Sequence, residues 1–228
     1  MKVYEALARA FAAEGVTDVF GMMGDGNMHW MEALQVLGVN IYDVRHEGAG
    51  LAMADGWARI ARDRQSDVPG VCTATHGPGV SQLATTMVVA ARAHTPLIAF
   101  VGEAPDGDDE FVQRLDQERF AAAVECGFIR ITSADTCEEE VRKAFYLAKN
   151  ESRPIMISAP VEVQTAEFDD VDEYEPSSTM IRKRPPYPHP DSIAEAVGII
   201  SNASRPVVLV GRGAIWSEAG DAAKALAA

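Results

Sequence analysis

Arg45-His46-Glu47-Gly48-Ala49-Gly50-Leu51-Ala52-Met53-Ala54-Asp55-Gly56-Trp57-Ala58-Arg59 joins an acid at a strand end to an unusually bare helix. Val39 to Val44, just before it, reads as a β-strand, so Glu47 falls at the carboxyl end of that strand, where open α/β sheets bind ligands. On position alone, an acid opening a helix can also simply complement the helix dipole. The helix itself is harder to account for. Gly48, Gly50 and Gly56 each cost roughly 0.8–1 kcal/mol relative to Ala in a helix interior. With Ala49, Ala52, Ala54 and Ala58 they leave little side-chain bulk, which suits either close backbone packing within a domain or the approach of a flat cofactor.

Outward from this stretch, helical and strand patterns alternate. Val3–Glu14 has apolar residues at helical spacing, with Gly15 in a left-handed capping position. Asp18–Gly21 is a short buried strand, followed by the turn Met22-Met23-Gly24-Asp25-Gly26-Asn27 and a helix over about 28–37. Gly24 and Gly26 are read as turn glycines with positive φ, and no metal is assigned to them. After a polar loop over 63–69, a strand over Gly70–Thr75 runs into Thr75-His76-Gly77-Pro78-Gly79-Val80-Ser81-Gln82, which opens a helix to about Arg92. A glycine-rich strand-to-helix turn is a generic anion cradle, but it lacks the Walker lysine and misses the dinucleotide spacing. Thr95–Gly102 is a buried strand, 113–124 a helical segment after an acidic loop, and 128–131 a strand. A helix over 137–150 and a last strand over 154–158 complete the pattern. The expected fold is α/β, a parallel sheet of about six strands covered by helices on both faces, plus the beginning of a second α/β domain.

Two motifs carry a resemblance. His46-Glu47-Gly48-Ala49-Gly50 with Ala52 to Arg59, followed by Thr75-His76-Gly77-Pro78-Gly79, resembles the N-terminal pyrimidine-binding domain of thiamine-diphosphate enzymes, those similar to acetolactate synthase in particular. The resemblance covers 1–165 well and 190–228 more loosely. It implies that Glu47 is catalytic, hydrogen-bonding the pyrimidine ring nitrogen of thiamine diphosphate. It also places Met23, Gly24, Thr75, Pro78, Gly79, Gln82 and Gln117 at cofactor-binding positions. The family commonly carries Ser where this chain has His76, and Asn where it has Gln82. Gln117-Glu118 is similar to the family's Phe-Gln-Glu element, with Asp116 in place of the Phe. The family's own magnesium motif lies in a C-terminal domain, so Mg2+ and the diphosphate are expected from a domain outside this sequence, in cis or in trans. The chain alone is then expected to be incomplete and inactive.

The expected domain plan is 1–165 for the pyrimidine-binding domain, an acidic, Pro-rich linker over 166–190, and an incomplete start of a central domain over 191–228. In that last part 191–200 reads as a helix capped by Asp191, and 205–210 as a strand. The 228 residues are 47% hydrophobic and 24% charged, an ordinary globular composition. A net charge of −14 argues against nucleic acid or an anionic membrane surface as the main partner. Three cysteines without metal or redox spacing fit reduced thiols in the cytoplasm. Three functions stay open at this point: part of a carboligase or decarboxylase acting on a 2-oxo acid, a non-catalytic binding or assembly module or half of a split enzyme, and a flavin-dependent 2-oxo acid oxidase using FAD. In each case a homodimer or higher homo-oligomer is expected, because a bare helix leaves apolar surface to cover.

Overall fold

A computed structural model describes residues 1–63, 66–108, 110–169, 173–180 and 187–228. Arg64 and Gln65 of the polar loop, and Asp170, Asp172, Pro185 and Pro186 of the expected linker, lie outside the described residues. The chain divides into two compact units, Met1–Ile181 and Arg182–Ala228.

The first unit alternates as the apolar periodicity demands: α1 (Val3–Ala13), β1 (Asp18–Gly21), α2 (Met28–Val36), β2 (Asn40–Asp43), α3 (Glu47–Asp63), β3 (Gly70–Ala74), α4 (Gly77–Ser81), α5 (Ala84–Arg92), β4 (Leu97–Glu103), α6 (Gln117–Ala123), β5 (Gly127–Arg130), α7 (Cys137–Glu151), β6 (Pro154–Pro160) and α8 (Val161–Gln164). The strands form one six-stranded sheet in the order β2-β1-β3-β4-β6-β5, every pairing parallel. After β2 the chain crosses back over β1 to reach β3. The order therefore reverses between β1 and β3, and a crevice opens at their carboxyl ends.

Successive residues of a strand point to opposite faces, and the two cores follow that rule. Ile98 and Phe100 of β4, with Ile155, Ile157 and Ala159 of β6, face α1, α2 and α7. Leu97, Ala99 and Val101, with Met156, face the side of α3, α5 and α6. On the first face Trp30 stacks on Phe100 at 4.2 Å, and Phe11 meets Trp30, Phe100 and Phe145 edge-on. The second face mixes Leu, Met and Val with many alanines, and there α3 comes down almost onto the backbone of β1. A Cβ at Gly50 would lie 3.2 Å from the Phe20 carbonyl oxygen. Gly48 sits closer still to the Gln82 carbonyl, at 2.9 Å, whereas Gly56 is open. Close packing thus explains two of the three helix glycines.

Five expectations change. Gly24 and Gly26 are absent from the positive-φ glycines, which are Gly15, Gly38 and Gly107. They are small because neighbours crowd them: a Cβ at Gly24 would lie 2.7 Å from the Thr75 Cβ, and one at Gly26 2.9 Å from His76 Nε2. The helix after His76 breaks into α4 and α5 at Gln82 and Leu83. The helix read over 113–124 starts only at Gln117, because the Asp116 side chain caps it by accepting from the Arg119 N–H at 3.0 Å. In the second unit α9 (Pro190–Ser201), α10 (Arg212–Trp216) and α11 (Gly220–Ala227) form, and the α9 cap is His189 rather than Asp191. Residues 205–210 form no strand, and Val207 and Leu209 are exposed. A strand needs a hydrogen-bonding neighbour, and this unit has no other strand among its described residues.

A buried ionic hub closes the first unit. The Glu14 side chain, 0% exposed, accepts from Lys149 Nζ at 2.9 Å, the Ser177 N–H and hydroxyl at 2.6 Å each, and the Tyr174 hydroxyl at 2.9 Å. It fastens residues 173–180 onto α1 and α7. Breaking a buried pair leaves an uncompensated charge, so Glu14→Ala is expected to cost about 3–5 kcal/mol. Urea unfolding measures it, and an unchanged midpoint would show the hub to be idle.

Burial pushes the thiols of Cys126 and Cys137 from 9.0 up to about 12, and that of Cys72 higher still; Glu138 adds to the effect at Cys137. Burial, together with the Glu14 carboxylate, also raises Tyr174. The unfolded chain ionises these groups at their ordinary values, so above them the folded state holds more protons. Stability is therefore expected to be full below about pH 9 and to fall as pH climbs toward about 12. Thermal melts across that window test this, and a flat profile would refute it.

Candidate functional site

Three loops meet over the β1/β3 crevice: 22–27 after β1, 75–76 after β3, and 103–116 after β4. They pack backbone against backbone. A Cβ at Gly102 would lie 2.5 Å from the Gly26 Cα, and one at Gly77 would lie 2.1 Å from the Gln113 carbonyl oxygen. Asn27 is fully buried and holds the first loop: its Oδ1 accepts from the Gly24 N–H at 2.8 Å, while its Nδ2 donates to the Met22 carbonyl at 3.1 Å and to Thr73 Oγ1 at 2.8 Å. Asn27 is thus a turn fastener. Among the described residues no group of His, Cys, Asp or Glu is placed to hold a metal.

Glu47 opens α3 beside this crevice. The preceding His46 caps the helix, its Nδ1 accepting from the Gly48 N–H at 3.1 Å. The Glu47 carboxylate is half-buried and has no hydrogen-bond or ion-pair partner among the described residues. Its Oε1 faces Gly79 so closely that a Cβ there would lie 3.1 Å from it, with the Thr75 methyl at 3.4 Å from the same point. An acid able to accept or donate thus stands open above a wall with no side chain. Such a cradle fits a flat heteroaromatic ring that brings its own hydrogen-bonding edge.

Glu47, Gly79, Thr75 and Gly24 are therefore brought together, in that order along the crevice wall. Met23 is exposed on the 22–27 loop and Pro78 on the first turn of α4. The Gln82 side chain is exposed, and its carbonyl lies under Gly48. Gln117 stands apart from the group. It is buried, its Nε2 donating to the Gly102 carbonyl at 2.8 Å and its Oε1 accepting from Ser158 Oγ at 3.3 Å. Reading the sequence missed three residues of the crevice: Asp25, His76 as a buried side chain, and Gln113. The Gly-flanked turns were the available signal, since glycine leaves room for a close neighbour.

Thr75 Oγ1 accepts from the Gly26 N–H at 3.0 Å and donates to Asp25 Oδ1 at 2.8 Å. Asp25 is thereby fixed in place with its carboxylate largely in solvent. Further along the carboxyl edge Arg130 joins Glu103 and Asp106 at 2.7 Å each, bracing the start of the 103–116 loop.

Comparison with known proteins agrees with this fold. Residues 1–121 match the family model of the thiamine pyrophosphate enzyme N-terminal TPP binding domain. A probable acetolactate synthase large subunit of Methanocaldococcus jannaschii is 32% identical, over 97% of this chain and 37% of that protein. The chloroplastic acetolactate synthase 1 of Nicotiana tabacum is 30% identical, over 92% of this chain and 31% of that protein. The acetolactate synthase large subunit of Corynebacterium glutamicum is 33% identical, over 81% of this chain and 29% of that protein. The chain thus spans about a third of the length of these relatives. With a parallel six-stranded sheet, a bare helix opened by Glu47 and a family match over more than half its length, this chain belongs to the thiamine pyrophosphate enzymes as an N-terminal TPP-binding domain.

Proposed function

We propose that this chain is the pyrimidine-binding part of a thiamine-diphosphate enzyme similar to acetolactate synthase, which makes or breaks a carbon–carbon bond next to the carbonyl of a 2-oxo acid. The observation that carries it is the unpartnered Glu47 carboxylate at the carboxyl end of β2, open above Gly79. The names of the relatives support the reaction class.

When bound, the cofactor supplies a nucleophilic carbon and an electron sink for the bond change. The chain's own residues orient its pyrimidine end. Glu47 would hold the pyrimidine ring nitrogen through a carboxylate oxygen, Gly79 keeps the space beside that oxygen free of a side chain, and Thr75 fixes the adjoining wall. Diphosphate and Mg2+ are assigned to another domain, in cis or in trans. Self-association is part of the proposal, supported by the exposed Met53 and Ile60 of α3 and Val88 and Val89 of α5.

The test uses the polypeptide that carries this sequence together with its diphosphate-binding domain. Glu47→Gln keeps the shape but cannot exchange the proton, and kcat for 2-oxo acid consumption is expected to fall about 10²–10⁴-fold. Gly79→Ala, which places a methyl 3.1 Å from Oε1, is expected to lower kcat less than Glu47→Gln does, with the melting temperature little changed. Unchanged kcat in Glu47→Gln would overturn the reading.

A further inference from the structure

His76 immediately precedes α4 at the crevice, and its surroundings are unusually demanding. The side chain is only 2% exposed. Nδ1 lies 3.2 Å from Gln113 Oε1 and 3.3 Å from Asp25 Oδ1. Nε2 is buried without a hydrogen-bond partner among the described residues and faces Gly26, where a Cβ would lie 2.9 Å away. Phe111 packs edge-on against the ring at 5.3 Å.

These contacts define the tautomer from two sides. An ionised carboxylate only accepts, so the nitrogen facing Asp25 must carry the hydrogen. A hydrogen on Nε2 would instead be buried with no acceptor, at the cost of an unmet donor. The contacts therefore place a hydrogen on Nδ1, shared between two oxygens from two different loops. Asp25 belongs to the loop after β1, and Gln113 and Phe111 to the loop after β4.

We infer that His76 is a positioning residue of the site: as a fixed Nδ1–H tautomer it clasps the 22–27 loop to the 103–116 loop, and it holds the Asp25 carboxylate and the Gln113 amide at the mouth beside Glu47. The 103–116 loop is also braced by hydrogen bonds within itself and to α8. Arg114 donates from Nε to the Asp108 carbonyl at 2.8 Å and from Nη2 to the Pro105 carbonyl at 2.6 Å, and the Asp106 N–H donates to Glu162 at 2.8 Å. At its far end the loop rests on Gly77, with no side chain between that backbone and the Gln113 carbonyl. Asp25 keeps 64% of its side chain exposed, so the clasp orients a carboxylate that a substrate polar group can reach. The role in substrate positioning rests on the reading of Glu47 above; the clasp itself does not.

Nitrogen-15 spectra of histidine-labelled chain read the tautomer directly. A protonated Nδ1 and bare Nε2 for His76 are expected, and an Nε2–H tautomer overturns the inference. Amide hydrogen exchange then reads the clasp. His76→Leu keeps the bulk without the donor, and exchange over 104–116 is expected to rise about tenfold while β4 stays protected. His76→Asn presents an amide nitrogen near the Nδ1 position, so exchange there is expected within about threefold of the unsubstituted chain. Equal exchange in both variants overturns the inference. If His76→Leu also exposes β4 through general unfolding, the tautomer spectrum of the unsubstituted chain decides alone. Neither readout needs the cofactor, so a failed Glu47 test leaves this one standing.

Discussion

The structure depends on one steric constraint: at the carboxyl edge of the sheet, peptide backbone must touch peptide backbone. Gly102 meets Gly26, Gly77 meets the Gln113 carbonyl, and Gly50 meets the Phe20 carbonyl. A single methyl at two of these points would come within 3.0 Å of a neighbour. Interiors packed to crystal-like density have no slack to absorb that. The loops therefore hold one arrangement, and Glu47 is left as the open polar group above a floor of bare backbone. The aromatic core of Phe11, Trp30, Phe100 and Phe145 on the opposite face supplies the bulk that the thin face lacks.

Much of this was legible in the residues. The strands stood out because β-branched and apolar runs such as Leu97–Glu103 end at glycine, proline or polar breaks, and their alternation gave the two-faced sheet. Glu47 was legible as an acid at a strand end, and the bare helix as one that packs closely. What stayed hidden were facts about which side chain turns inward. Gln117 lies in a motif that suggests contact with a ligand, yet its amide is consumed by Gly102 and Ser158. His76 lies in a glycine turn that suggests exposure, yet it is buried. Both outcomes depend on loops distant in sequence, which no local pattern encodes.

The glycines of the 22–27 turn show the same limit more sharply. Glycine is chosen either for a backbone angle or for want of space, and the sequence alone does not separate the two. Here space decides, and Asn27, Thr75 and His76 are the residues that occupy it. In 205–210 the error ran the other way: a run of valines and leucine has strand propensity, but propensity without a neighbouring strand leaves the segment irregular.

The Glu14 hub also has a mechanical meaning. Residues 173–180 are tied to the first helix and to α7 through one carboxylate and one ammonium, both deep in the fold. Tension on the chain from beyond residue 180 enters the domain at that knot, on the outer helical layer, before it can reach β6. The central strands of the sheet, and with them the loops that frame Glu47, are thereby shielded from whatever pulls on the chain that follows.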